Sequence, residues 1–174
     1  LIAYVQTQNV LKPENIDSAR IMGFETELFF EFVKVLRIEA NYTFTDAVNT
    51  SEQTYYNGNQ LPGIPAHEAW LRTSFFKRSS FVDAELRVDG DYAGSNYLTP
   101  YNSTEQVVAR FYIGLGGQLS FVSTGLSVSL DVRNLLNRIS ATDENGSERP
   151  LMDYEGFPLP GRTVFATLRW RISP

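Results

Sequence analysis

Apolar and polar residues alternate one for one through segment after segment of this chain. Between Arg37 and Asp46, the residues Arg37, Glu39, Asn41, Thr43 and Thr45 fall on one phase, and Ile38, Ala40, Tyr42 and Phe44 fall on the other. Successive side chains of a strand point to opposite faces, so this alternation builds a two-faced sheet with one charged side. The same rhythm predicts eight strands, at 2–10, 19–32, 35–46, 68–76, 81–92, 105–120, 125–133 and 163–172. The fifth sets Val82, Ala84, Leu86 and Val88 against Asp83, Glu85, Arg87 and Asp89, and the sixth carries Val107, Ala109, Phe111, Ile113 and Leu115 in phase. No stretch sustains a helical period, so the expected fold is all-β.

The connections add a second rhythm. Val33–Lys34, Lys77–Ser79 and Phe121–Thr124 leave room only for tight turns. Segments 11–17, 48–67, 93–104 and 135–162 are long and hold most of the Pro, Asn and Gly. Short turns on one rim and long loops on the other are what an antiparallel up-and-down transmembrane β-barrel needs. Alternation is symmetric under turning a barrel inside out. A soluble ligand-binding β-barrel, with its apolar face inward, therefore stays open beside the membrane reading, as does a complete small eight-stranded outer-membrane barrel with a structural or adhesive role. Aromatics near strand ends (Tyr42, Phe44, Tyr92 and Trp170) fit the girdles of a membrane barrel.

Composition narrows the partners. The 174 residues carry a net charge of −5 and offer no basic stripe for phosphates, so nucleic acid is not an expected partner. Cysteine is absent, which removes disulfides and thiolate metal sites. No apolar run approaches the roughly 18 residues of a spanning helix, and the mean hydropathy is −0.21. Averaged hydropathy is nearly blind to barrel strands, whose membrane face occupies every second residue. The chain opens without a signal-peptide pattern and already reads as a strand, so it is expected to be a piece of something larger.

Five motifs in order resemble the C-terminal third of TonB-dependent outer-membrane receptors. Gly23-Phe24-Glu25-Thr26-Glu27 is similar to that family's G-x-E-x-E strand, and Ala40 to Ala47 resembles its "NYTYTDA" strand. Leu61 to His67 follows at the family's distance, Val132-Arg133-Asn134-Leu135-Leu136-Asn137 resembles "V-x-N-L-F-N", and Pro160-Gly161-Arg162-Thr163 resembles the "PGR" opening of the last strand. The resemblance implies a bacterial outer-membrane protein whose intact barrel has about 22 strands and is plugged by an N-terminal domain. Residues 1–174 would be its C-terminal β-barrel portion, supplying about eight strands, with the plug domain absent from this chain. It further implies TonB-dependent uptake of a ferric siderophore or similar scarce nutrient, with the lipid bilayer and the TonB complex as partners, the latter reached through the missing N-terminal region. An open sheet of this kind is also expected to be capable of edge-to-edge self-association. The last residues, Trp170 to Pro174, depart from the aromatic terminus usual in the family.

No catalytic constellation emerges, and no cofactor is expected. His67 is the only histidine, so His-based triads and multi-His metal sites are ruled out. Gly114, Gly116 and Gly117 lie within a strand and lack the following helix of a phosphate loop, so they are read as a bulge or bend. Asp143, Glu144, Asn145 and Glu148 could offer oxygens to Ca²⁺, but their spacing matches no EF-hand and a solvated acidic loop is the expectation. The ligand-binding candidates are Tyr55, Tyr56, Tyr97, Tyr101, Arg149 and Tyr154. All sit in the long loops, where a phenol ring can stack on a chelate and a guanidinium can meet an anionic one.

Overall fold

The computed structural model describes residues 2–7, 10–15, 18–52, 55–102, 106–143, 145–154 and 157–172. Among these residues the structure is all β. An N-terminal hairpin pairs β1 (Ile2–Thr7) with β2 (Val10–Asn15). The main body is one antiparallel meander of β3 (Ala19–Phe32), β4 (Leu36–Asn49), β5 (His67–Lys77), β6 (Val82–Ala93), β9 (Arg110–Phe121), β10 (Leu126–Arg133) and β15 (Thr163–Trp170), each paired with the next. The long loops carry the short pairs β7 (Asn96–Tyr97) with β8 (Gln106–Val107), β11 (Ser140–Thr142) with β12 (Glu148–Pro150), and β13 (Met152–Tyr154) with β14 (Phe157–Pro158).

Two sequence expectations need correction. Residues 10–15 form a strand and not a loop, so the first predicted strand is one arm of a hairpin and the main sheet has seven strands, not eight. The register of this region was ambiguous because it lacks clean alternation. The sixth predicted strand starts at Arg110: Val107 is buried in the loop body, where β8 pairs with β7, and so lies off the sheet. Apolar phase alone could not separate the two, because Val107 keeps step with Phe111.

Turn chemistry fixes the strand register. Val33 and Lys34 both have positive φ, at 47° and 56°, and Val35 N–H closes the turn on the Phe32 carbonyl at 2.9 Å. This left-handed pair matches strand twist in a two-residue hairpin. Ser79 caps the β5–β6 turn through its hydroxyl, which accepts the Val82 N–H at 3.0 Å. Gly125, at φ 67°, lets the β9–β10 turn lie against the Arg171 carbonyl, which would sit 2.5 Å from any added Cβ.

Register sets apolar residues opposite apolar ones over most of the sheet's width. Phe24 lies opposite Phe44, Phe30 opposite Ile38, Phe75 opposite Leu86, and Val128 opposite both Leu119 and Leu168. The apolar run of β3 from Met22 to Phe32 covers roughly 33 Å of strand, or about 25 Å once tilted by about 40°, the height of a barrel's lipid-facing band. Phe24, Tyr42, Phe44 and Tyr92 lie toward the loop end of this face and Trp170 toward the turn end, as girdles require.

Exposure settles which face is outside. The apolar face is bare: Leu130 is 53% exposed, Phe24 57% and Leu168 71%. On the central strands the charged side chains are more enclosed, with Arg87 at 18% and Asp89 at 25%. A water-soluble protein would show the reverse. The surface of 11878 Å² also exceeds the about 8,600 Å² of a compact soluble chain of this mass. The fully buried apolar residues Leu61, Leu151, Val107 and Ala47 lie in or beside the loops and not between sheet layers. The sheet therefore curves around its charged side and turns its apolar side outward.

Leu130→Arg should then cost about 2–4 kcal/mol in the protein folded into a bilayer, whereas Ser129→Arg on the inner face should cost far less. Denaturant titration in liposomes measures both, and equal costs would contradict this assignment of faces.

Candidate functional site

The inner wall is organised by arginines. Arg72 on β5 meets Asp89 on β6 at 2.5 Å, Arg37 on β4 meets Glu31 on β3 at 3.0 Å, and Arg87 on β6 pairs with Asp131 on β10. The last pair spans a whole intervening strand. Arg87 and Asp131 are both in register with Gly116 on β9, where an added Cβ would sit 2.7 Å from the Arg87 Nε and 2.6 Å from the Asp131 Oδ1. Glycine here is a saddle over which an ion pair crosses. The pairing of β9 runs without a register shift through Gly114, Gly116 and Gly117, so the expected bulge is absent there.

Aromatics that fall on the charged phase carry a guanidinium. Arg37 lies over Phe29 at 5.8 Å and Phe76 at 5.2 Å, Arg72 over Trp70 at 5.1 Å, and Arg133 over Phe165 at 5.3 Å. Stacking of this kind shields ring faces that would otherwise meet water. Beneath the loops the wall borders an open trough of about 850 Å³, lined by Trp70, Asp91, Tyr112, Arg133 and Phe165 among others. None of these five had been picked as a ligand candidate. For Trp70 and Phe165 the signal is an aromatic on the polar phase, two residues along from an arginine on the same strand or its neighbour.

Above the wall, two loops form one body. Gly63 N–H donates to the Tyr97 carbonyl at 2.9 Å, and the Asn59 side-chain amide donates to the Pro100 carbonyl at 2.9 Å. The Tyr56 and Tyr101 rings meet edge to face at 5.6 Å, and Tyr55 lies 6.4 Å from Tyr56. Of the six candidates, Tyr55, Tyr56 and Tyr101 therefore form one cluster, and Tyr97 anchors it through its backbone. Tyr56 is buried within this body, whereas Tyr55 is 78% exposed and Tyr101 44%. Arg149 belongs to the β11–β12 hairpin and pairs with Asp143 at 3.0 Å. Tyr154 ends β13, and its side chain lies outside the described residues.

A second clamp ties the third long loop to the last strand. Asn134 and Asn137 both take left-handed φ, at 50° and 54°. The Asn134 amide donates to the Arg138 carbonyl at 2.8 Å and the Pro160 carbonyl at 3.3 Å, while Asn137 Oδ1 accepts the Arg162 N–H at 2.8 Å. The motif at Val132–Asn137 thus grips the one at Pro160–Arg162, and β15 enters the sheet in fixed register.

The acidic loop is self-contained. Asp143 accepts N–H groups from Ser147 at 2.8 Å and Asn145 at 2.9 Å, and Glu148 bonds the Ser140 hydroxyl. The Ser147 amide, then Arg149, hold the Asp143 carboxyl below the usual carboxylate range. Among the described residues no group of three or more His, Cys, Asp or Glu side chains could hold a metal ion.

A curved antiparallel sheet with a lipid-compatible exterior, a charged interior and its long loops on one rim defines the wall of an outer-membrane β-barrel. Residues 1–135 match the family model described as TonB dependent receptor-like, beta-barrel, and the chain belongs to that family. It is similar to the ferrichrome outer membrane transporter/phage receptor of Escherichia coli, with 30% identity over 128 residues, covering 68% of this chain and 16% of that one. A TonB-dependent receptor of Haemophilus influenzae is 27% identical over 142 residues, covering 76% of this chain and 40% of the relative. The fold resembles the ferric preacinetobactin receptor of Acinetobacter baumannii, with a TM-score of 0.70 and 17% identity, over 96% of this chain and 25% of that one. The chain thus spans well under half the length of these relatives. Family membership places it in the bacterial outer membrane.

Two outcomes follow from this geometry. Gly116→Val should separate Arg87 from Asp131 and cost roughly 1–3 kcal/mol. In that background Asp131→Asn should add little, which a double-mutant cycle by chemical denaturation would read as coupling. For Asp143, a lowered folded-state pKa means that its contribution is present above the ordinary carboxylate value and lost as pH falls through the folded value. Hydrogen-exchange protection of the Ser147 amide should hold from neutral pH down to that ordinary value and disappear only in stronger acid.

Proposed function

We propose that this chain is the C-terminal β-barrel portion of a receptor that takes up a ferric siderophore or similar scarce nutrient with energy from TonB. The plug domain and the TonB contact lie in parts of the receptor outside this chain. The observation that carries the reading is the bare apolar exterior around a charged, arginine-laced wall with interlocked aromatic loops on one rim, in a member of this receptor family. Receptors for ferrichrome and ferric preacinetobactin among its relatives support an iron chelate as cargo. The chain acts as a transporter wall and not as an enzyme.

Tyr55 and Tyr101 are the ring faces offered outward for a chelate, with Tyr56 and Tyr97 holding them in place. Arg149 and Tyr154, carried by the last long loop, are the further residues proposed to meet it. Among the described residues β3 and β15 pair on one side of the sheet, so an isolated copy of this chain in lipid must leave edge N–H and C=O groups unpaired, close on itself or join a second copy edge to edge. The receptor solves this with further strands.

On whole cells producing the intact receptor, cysteines at Asn57 and Asn145 in the exposed loops should label with an impermeant maleimide, and one at Ser79 on the turn rim should not. Labelling confined to Ser79 would invert the topology. Residues 1–174 alone should fail to restore ferric siderophore uptake to a receptor-deleted strain, and restoration would show that the wall needs nothing else.

A further inference from the structure

The turn rim of the sheet is apolar and cationic, where tight turns ordinarily carry Gly, Asn, Asp and Ser. Its three turns, with the strand ends beside them, bear Lys34, Lys77, Arg78 and Arg171 and no carboxylate, in a chain of net charge −5. All four cations are exposed, and among the described residues none of them joins an ion pair. Arg20, on the outward phase at the loop end, is by contrast held by Asp46 at 3.1 Å.

Between these cations stand Val33, Val35, Phe81, Val122 and Ile172, all exposed. Val33 is 72% exposed and holds φ at 47°, a conformation that a β-branched side chain resists and Asn or Gly takes at little cost. A turn standing in water would gain from Asn there on both counts. A strained apolar residue kept at such a place points to apolar cover.

The rim is one continuous ledge. The Phe76 N–H donates to the Val35 carbonyl at 2.7 Å, the Val122 N–H to the Phe81 carbonyl at 3.0 Å, and the Arg171 N–H to the Gly125 carbonyl at 2.9 Å. The Trp170 indole N–H donates to the Thr124 carbonyl at 3.0 Å. Each turn is thereby fastened to the next, and the apolar and cationic residues are held in one row. Immediately above this row the lipid-facing band ends, at Phe32, Leu36 and Phe75 and then at Phe121, Leu126 and Trp170. Lys77 itself falls on the lipid-facing phase, two residues beyond Phe75, where its aliphatic stem can lie along the band with the ammonium at the margin.

We propose that this ledge binds the headgroups of anionic phospholipid. Val33, Phe81 and Val122 reach the first acyl carbons, and Lys34, Lys77, Arg78 and Arg171 meet the phosphates. The occupant follows from continuity with the lipid-facing band and from charge complementarity. Binding of this kind is independent of what the receptor carries, and under the topology proposed above the leaflet is the periplasmic one.

The test reconstitutes the intact receptor in phosphatidylcholine liposomes and compares, by electron spin resonance, the association of spin-labelled phosphatidylglycerol and phosphatidylcholine. Phosphatidylglycerol should be favoured roughly threefold or more, and about 1 M salt should erase most of the preference. Lys34→Gln, Lys77→Gln, Arg78→Gln and Arg171→Gln together should abolish it, and Arg138→Gln in the last long loop should leave it unchanged. Lys34→Gln with Lys77→Gln should lower it by roughly half and Lys34→Arg with Lys77→Arg should retain it, which keeps the outcome readable if the fourfold variant does not fold. A nitroxide on Val33→Cys should be relaxed by oxygen more than by a water-soluble nickel chelate. No preference for phosphatidylglycerol in the unaltered receptor, or a preference that survives the loss of these cations, would overturn the proposal. So would a Val33 nitroxide relaxed mainly by the nickel chelate, which would place the turns in water. An intact preference with inverted labelling at Ser79 would uphold the ledge and change only its leaflet.

Discussion

The backbone hydrogen bond is the constraint on which the rest of this structure depends. In hydrocarbon no water is available to satisfy an N–H or C=O, so a spanning segment of strands must pair every group with a neighbour. The ladders here meet that demand with continuous antiparallel register, fourteen paired residues long between β3 and β4 and twelve between β6 and β9. Once the register is unbroken, the two phases of each strand are committed to opposite faces for the whole width of the sheet. Membrane exterior and polar interior are then consequences of one hydrogen-bonding pattern.

The polar interior has its own demands. Charges crowded onto the concave side of a curved sheet must be matched locally, and arginine does this in two ways at once. Its charge meets Glu31, Asp89 or Asp131, and its flat face covers Phe29, Phe76 or Trp70. Lysine could supply the first role and not the second. This accounts for Arg over Lys on the inner wall, where Arg37, Arg72, Arg87, Arg133 and Arg169 all fall on the charged phase.

Strand identity and facing were legible in the sequence wherever alternation was clean, as from Arg37 to Asp46. Legibility failed where the chain leaves the sheet. Residues 2–15 carry no consistent phase, and a hairpin there is defined by pairing and not by pattern. Val107 belongs to the loop body although it keeps the phase of β9. The direction of the two faces was not in the alternation at all; it emerged from curvature, which buries Arg87 more than Leu130. For the site, loop tyrosines could be picked out by composition, but the meeting of Tyr56 with Tyr101 depends on two loops folding against each other. The role of Gly116 is likewise a three-strand property. No local window contains both Arg87 and Asp131, which lie 44 residues apart.

The interlocking of the two tyrosine-bearing loops has a consequence for how the loops can change in sequence. Because Gly63 leans on Tyr97 and Asn59 on Pro100, each loop braces the other. An altered residue in one is felt as a change of footing in the other, so the two loops must diversify as a unit.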